Sequence, residues 1–211
     1  MKEIIKKNKI FIFPYLLLSA IILFILLFYD KKSGHLMLTS VHNMYLDVFF
    51  STITHLGDGI FVIVAGVLFL LINIRKGLQI LISYTLAGIF VQLLKNTIFE
   101  DFNRPYKYFD DPSVLHIVDG VNIHIYNSFP SGHTASAFAL FFSICLFIDN
   151  KYIKAASLLI ASLVAYSRVY LSQHFLVDIW AGSATGIIFA LIIWTFLYRK
   201  NKKFLNRSVF F

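Results

Sequence analysis

Ile179–Tyr198, IWAGSATGIIFALIIWTFLY, runs for twenty residues without one charged side chain. A helix of about 20 apolar residues is what a bilayer core requires. Working back from it, Ala155–Ser167, Thr134–Ile148, Gly77–Leu94, Gly59–Ile74 and Ile10–Tyr29 are also uncharged. The shorter ones can be completed by flanking uncharged or snorkelling residues. Of the 211 residues, 58% are hydrophobic and 14% charged, which excludes an ordinary soluble domain. Backbone amides in hydrocarbon must be satisfied within a segment, and no barrel-like alternation is present. The expected fold is therefore all-α: a polytopic membrane protein of six transmembrane helices in one domain over 1–211.

Lys and Arg set the orientation. Lys2, Lys6, Lys7, Lys9, Arg75, Lys76, Lys151, Lys154, Arg199, Lys200, Lys202, Lys203 and Arg207 fall on one side, thirteen of the nineteen basic residues. That side is expected to be cytoplasmic, with both termini and a basic tail over 199–211. All seven histidines and every acid except Glu3 and Asp149 fall on the other. The net charge of +8 then follows from topology and attraction to anionic lipid, with no nucleic acid required. The apolar run after Lys9 is too long for a signal peptide and lacks a small-residue cleavage site. The single cysteine, Cys145, reads as a packing residue, and one cysteine supports neither a disulfide nor a thiolate metal site.

Two outer segments carry patterns of their own. Residues 30–58 place Leu38, Val41, Tyr45, Val48, Phe49, Ile53 and Leu56 at helical spacing, which predicts a helix lying in the outer interface. His42 and His55 lack the i, i+4 spacing of a metal pair and read as interfacial polar side chains. In the segment from Lys95 to Pro130, Asp119-Gly120 separates two alternating runs within Val114–Tyr126. That pattern predicts a short β-hairpin between the third and fourth spans, either a lid over the site or a plain structural hairpin. Trp194 and Tyr198 read as interface aromatics, and Gly182 with Gly186 as a helix contact.

Chemistry concentrates at the span ends. Pro130-Ser131-Gly132-His133-Thr134 opens the fourth span. The Gly132 and His133 amides there would point out of a helix N-terminus, a favourable place for an anion, and Ser131 adds a hydroxyl. His174 and Asp178, four residues apart at the start of the sixth span, face the same way. A carboxylate so placed holds one imidazole nitrogen and leaves the other free to attack. Arg168, at the end of the fifth span, can fork two phosphoryl oxygens.

Together these stretches resemble the type 2 phosphatidic acid phosphatase superfamily, over roughly Leu78 to Leu197 (78–197). Its membrane members are six-span lipid phosphatases with an outer-face site. Pro130-Ser131-Gly132-His133 looks like the family's second motif, and Ser167-Arg168 through His174 to Asp178 like its third. The resemblance implies that His174 is a nucleophile forming a phosphohistidine and Asp178 its orienter. It makes His133 the acid that protonates the leaving alkoxide and later activates water. Arg168, Ser131 and the Gly132 amide would bind phosphate, with no metal or other cofactor. The family's first motif is a lysine, six residues, then Arg-Pro. Here Arg104-Pro105 is present, the expected lysine position is Thr97, and Lys95 stands two residues earlier. Lys95 and Arg104 are carried over as phosphate ligands, the extra residues being absorbed by the loop; Glu100 and Asp101 are expected to face solvent or to pair with a nearby cation.

The expected function is metal-independent hydrolysis of a lipid phosphate monoester or diphosphate, at the extracytoplasmic face of a bacterial cytoplasmic membrane. Lipid A, undecaprenyl diphosphate, phosphatidylglycerophosphate and phosphatidic acid are the candidates the family suggests. One alternative is a phosphotransferase using the same phosphohistidine. Another is an anion or lipid transporter, disfavoured because the charges cluster at span ends rather than at midplane. The family's vanadate haloperoxidases are soluble, and six apolar spans argue against them.

Overall fold

A computed structural model describes residues 2–199 and 203–208. In chain order the helices are α1 (Lys2–Lys7), α2 (Lys9–Phe28), α3 (Lys31–Thr39), α4 (Met44–Ile53), α5 (Gly59–Ile72), α6 (Ile74–Thr97), α7 (Pro105–Tyr108), α8 (Gly132–Phe147), α9 (Lys151–Tyr170) and α10 (Leu176–Arg199). Four segments are long and apolar enough to cross a membrane: Lys9–Phe28, Ile74–Thr97, Lys151–Tyr170 and Leu176–Tyr198. Met44–Gly57 and Gly59–Ile72 make a fifth if counted as one span, bent by 53° at Asp58. The sixth expected segment, α8, is a 16-residue helix.

The length of α8 follows from where it sits. It occupies the middle of the bundle, against α6, α9 and α10, with Ala135, Ala137, Ala139 and Phe142 buried. Protein rather than lipid surrounds it, so its roughly 24 Å need not match a hydrocarbon thickness. The tightest contact is with α10. A Cβ on Gly186 would lie 2.5 Å from the Ala135 carbonyl oxygen, and one on Gly182 would lie 2.5 Å from that of Ser131. Glycine at both positions lets the two backbones touch, as expected of a helix contact. By contrast α2 buries only Phe11 and leaves a mostly apolar outer surface, as a lipid-facing helix does.

Two expectations are corrected. Residues 30–58 form two short helices, α3 and α4, followed by a 3₁₀ turn over Thr54–Gly57, instead of one interfacial helix. Asp30 accepts from the Lys32 and Ser33 amides and Asn43 from the Leu46 amide, so each helix has its own N-cap and the chain breaks before the second. The second correction is the β-hairpin: among the described residues no strand forms. The Asp119-Gly120 turn is present, with Gly120 at φ +80, but its arms bond elsewhere. Arg104 N–H donates to Ile125 O and Ser128 N–H to Phe102 O. Asn122 O accepts from the Gln173 side chain. The two faces of the pattern persist without a strand ladder: Leu115 and Ile117 pack with Phe109 and Phe175, while Val118 and Val121 pack with Tyr170 and Leu171. The fold is therefore all-helical, with the 109–130 segment draped over one end of the bundle.

Candidate active site

The bundle alternates direction, so the C-terminal ends of α6 and α9 lie with the N-terminal ends of α5, α8 and α10. Every proposed phosphate or catalytic residue is at that end. After Tyr170 the α9 helix closes with Ser172 at φ +51, and the Arg168 carbonyl accepts both the Gln173 and His174 amides. That turn fixes His174 beside the arginine six residues before it.

His174 is 2% exposed and Asp178 fully buried. Nδ1 of His174 lies 3.3 Å from Asp178 Oδ2, and since a carboxylate only accepts, Nδ1 carries the proton and Nε2 keeps its lone pair. The same oxygen accepts from the Phe175 amide at 2.8 Å and the Ser128 hydroxyl at 2.5 Å, which holds the carboxylate in place. Burial first, then the charges of Arg104, Arg168 and Lys95, hold the His174 imidazole well below the usual histidine range. It is neutral, the form a nucleophile needs.

A cavity of about 650 Å³ opens beside it, lined among others by Lys95, Arg104, Gly132, His133 and His174. Lys95 reaches this cavity despite its shifted spacing. Thr97 is exposed and its hydroxyl donates to Leu93 O. Two residues turn a helix by about 200°, so only one of positions 95 and 97 can face the site. Glu100 and Asp101 are exposed, as expected. Arg104 is held by Nε donating to Tyr126 O at 2.8 Å and Nη1 to Gln173 at 3.3 Å; burial pulls its pKa below the usual arginine value. At Gly132 a Cβ would meet only Val91, at 3.9 Å, so the backbone at the α8 N-terminus stands open to the cavity. Its orphan amides and positive dipole end favour an anion there.

Ser131 departs somewhat from its expected place. It is fully buried and its Oγ accepts from the Thr134 amide and hydroxyl, so it serves as the α8 N-cap. Its amide donates to Asp178 O at 3.0 Å, tying the second motif to the third. Arg168 is 6% exposed, and Nη1 donates to Thr54 Oγ1 at 2.9 Å. It lines a second, polar cavity of about 610 Å³ with Thr54, His55, Asp58, His124 and Gln173. His133 lines both cavities.

Two residues at this end were not singled out in the sequence: Thr54, on Arg168, and Asp58, whose Oδ1 is 2.5 Å from His133 Nε2. A signal existed for Asp58. It is the last charge before the Gly59 apolar run, at a span end that topology already assigns to the same side as His133. His42 stacks on His116 at 4.0 Å and His55 pairs with Asp58 at 2.7 Å.

Membrane-length helices converging on a neutral histidine among fixed cations define a polytopic membrane protein with an anion-attracting pocket at one end. The sequence pattern of the PAP2 superfamily matches residues 76–202, more than half of the chain, and the chain belongs to that superfamily. The expectation of a hydrolase acting on lipid phosphates stands on this membership. Lipid A 4'-phosphatase of Porphyromonas gingivalis is 25% identical over 179 residues, covering 82% of this chain and 75% of that protein. The crystal structure of Aquifex aeolicus LpxE superposes with a TM-score of 0.68 at 26% identity, over 78% of this chain and 94% of that one. The first transmembrane PAP2-type phosphatidylglycerolphosphate phosphatase from Bacillus subtilis shares the fold, with a TM-score of 0.62, 24% identity, and coverage of 95% and 99%.

Proposed function

We propose that this protein hydrolyses a lipid phosphate monoester or diphosphate in two in-line transfers through a phosphohistidine on His174. The observation that carries this reading is the buried, neutral His174, held through Nδ1 by Asp178 and lining a cavity together with Lys95, Arg104 and Gly132. In the first transfer Nε2 forms a bond to phosphorus as the bond to the lipid oxygen breaks, and His133 gives its proton to the departing alkoxide. In the second, water attacks the phosphorus, His133 takes the proton, and inorganic phosphate leaves a neutral His174. Lys95, Arg104, Arg168 and the α8 amides neutralise the charge on the phosphoryl oxygens, and Ser131 holds the α8 N-terminus in place.

Six spans in one unit over 1–211 fit this reading, with 78–197 bearing the motifs, α8 as a central span and α4–α5 as a bent one. The asymmetry of Lys and Arg supports cytoplasmic termini, a tail over 199–211 on that face, and an extracytoplasmic site in a bacterial cytoplasmic membrane. The tail's described part bonds to the start of α6, Ile74 N–H donating to Arg207 O, at the end of the bundle opposite the site. The substrate then lies in the outer leaflet with its chain in lipid. Lipid A is the first candidate, because the Porphyromonas relative is named for it; undecaprenyl diphosphate, phosphatidylglycerophosphate and phosphatidic acid follow.

The test is phosphate release by the detergent-purified protein from these four lipids with EDTA present and His174→Ala as the blank. Release that survives the chelator and needs His174 is expected. Release abolished by EDTA and restored by a divalent cation would overturn the metal-independent reading.

A further inference from the structure

Asp58 has two partners, one on each carboxylate oxygen. Oδ1 is 2.5 Å from His133 Nε2 and Oδ2 is 2.7 Å from His55 Nδ1. It sits at the 53° break between the Thr54–Gly57 turn and α5, and the break is what brings it there. A Cβ on Gly57 would lie 3.0 Å from the His133 carbonyl oxygen and 2.7 Å from Val164, so this turn lies directly on the start of α8. The side chain of His133 is 34% exposed and that of Asp58 36%, both beside the polar cavity. His55, at 71%, closes the chain of contacts on the solvent side.

We propose that Asp58 is a positioning residue for the general acid: its carboxylate orients the His133 imidazole and favours its charged form as the leaving group departs, with His55 bracing the carboxylate from outside. This rests on the role given to His133 above. The surroundings make such a partner necessary. The other charged or titratable groups around His133 are Arg168 from α9, Arg104 from the loop after α6, Lys95 from α6 and His174 from the turn before α10, with His55, His124 and Asp119 lining the polar cavity it shares. The charges of Arg168 and Arg104 oppose an imidazolium at this position. Asp58 is the carboxylate that pairs with His133 among the described residues, and a carboxylate at hydrogen-bond distance favours the charged ring. Around Asp58 itself stand His55, His133 and Arg168, so its own charge is well compensated. The arrangement gives the two histidines of the site different partners: Asp178 holds His174 through Nδ1 as the nucleophile, and Asp58 holds His133 through Nε2 as the proton donor. Opposed environments of this kind separate a base from an acid in one site.

The test compares kcat/KM, which reports phosphoenzyme formation, for a long-chain alkyl phosphate and for p-nitrophenyl phosphate. The second leaving group departs without protonation. General acid catalysis contributes about 10²–10⁴-fold, so Asp58→Asn is expected to lose about 10–100-fold on the alkyl ester. On the aryl ester it should lose less than about threefold. The ratio is read on one preparation and does not depend on how much of it is folded. The alkaline limb of the alkyl-ester profile should move to lower pH in Asp58→Asn and return in Asp58→Glu. The exposed His55→Gln should show the same tilt, smaller. Equal losses on both esters with an unmoved alkaline limb would overturn the proposal. His133→Gln separates the two levels of failure. If it shows the leaving-group dependence and Asp58→Asn does not, only this inference falls; if His133→Gln lacks it, the acid role of His133 falls as well.

Discussion

At the scale of single residues, the register of α6 decides which side chain faces the cavity beside His174. Lys95 lines the cavity and Thr97 faces out, so exchanging them, Lys95→Thr with Thr97→Lys, moves the cation to the far side of the helix. Loss of one charge-assisted contact made in the transition state costs about 1.5–3 kcal/mol, or roughly 10–150-fold in kcat/KM. Full activity in the exchanged protein would show that the loop re-registers the helix end. The electrostatics of His174 give a second expectation. Arg104 is one of the charges holding its pKa down, so removing that charge raises the pKa. The neutral nucleophile is then lost at a higher pH as the solution is acidified. The acid limb of kcat/KM should therefore move upward in Arg104→Met relative to wild type on the same substrate, whose own ionisation cancels in the comparison. A limb that stays put or moves down would contradict the assignment of His174. These positions were legible in the sequence where residue type and spacing alone define the geometry, as for His174 with Asp178. Thr54, and the pairing of Asp58 with His133, were not, because the partners lie more than seventy residues away in the chain and only the packed bundle brings them together.

At the scale of elements, the contact of α8 with α10 carries the site, since it fixes the second motif against the third through Ser131 N–H and Asp178 O. Gly186→Ala places a Cβ 2.5 Å from Ala135 O, with backbone on both sides and nothing flexible to yield. Overpacking of this kind costs about 1–3 kcal/mol, so a lower midpoint of thermal unfolding in detergent is expected, with activity falling as the motifs separate. Gly88→Ala is the matched control. No atom lies within 4 Å of its Cβ, and alanine is the better helix former by about 1 kcal/mol, so its midpoint should stay or rise. Similar midpoints for both variants would contradict the close-contact reading. The apolar runs made most of these helices readable in advance. What escaped was local competition: Asn43 caps a second helix inside a continuous amphipathic pattern, and the backbone of the 114–126 segment bonds to Gln173 and Ser172 in place of its own opposite arm.

At the scale of the whole molecule, alternating helix direction gathers five helix ends into one site and sends most of the basic residues to the other end. Composition and charge asymmetry made that plan legible; the bend at Asp58 was not, because nothing in the Gly59 run distinguishes a straight entry from one that turns by 53°. The bend carries Thr54 to Arg168 and Asp58 to His133, so the first third of the chain, which holds none of the three motifs, completes their surroundings. All of this converges on one claim, a covalent phosphoryl group on His174. Its most direct test is to mix the detergent-purified protein with lipid phosphate carrying labelled phosphorus, quench in alkali within one turnover, and map the label. We expect an alkali-stable, acid-labile adduct on the peptide containing His174, absent in His174→Ala and slower to form in Asp178→Asn. Turnover with no trapped label, or a label that persists in His174→Ala, would contradict the account.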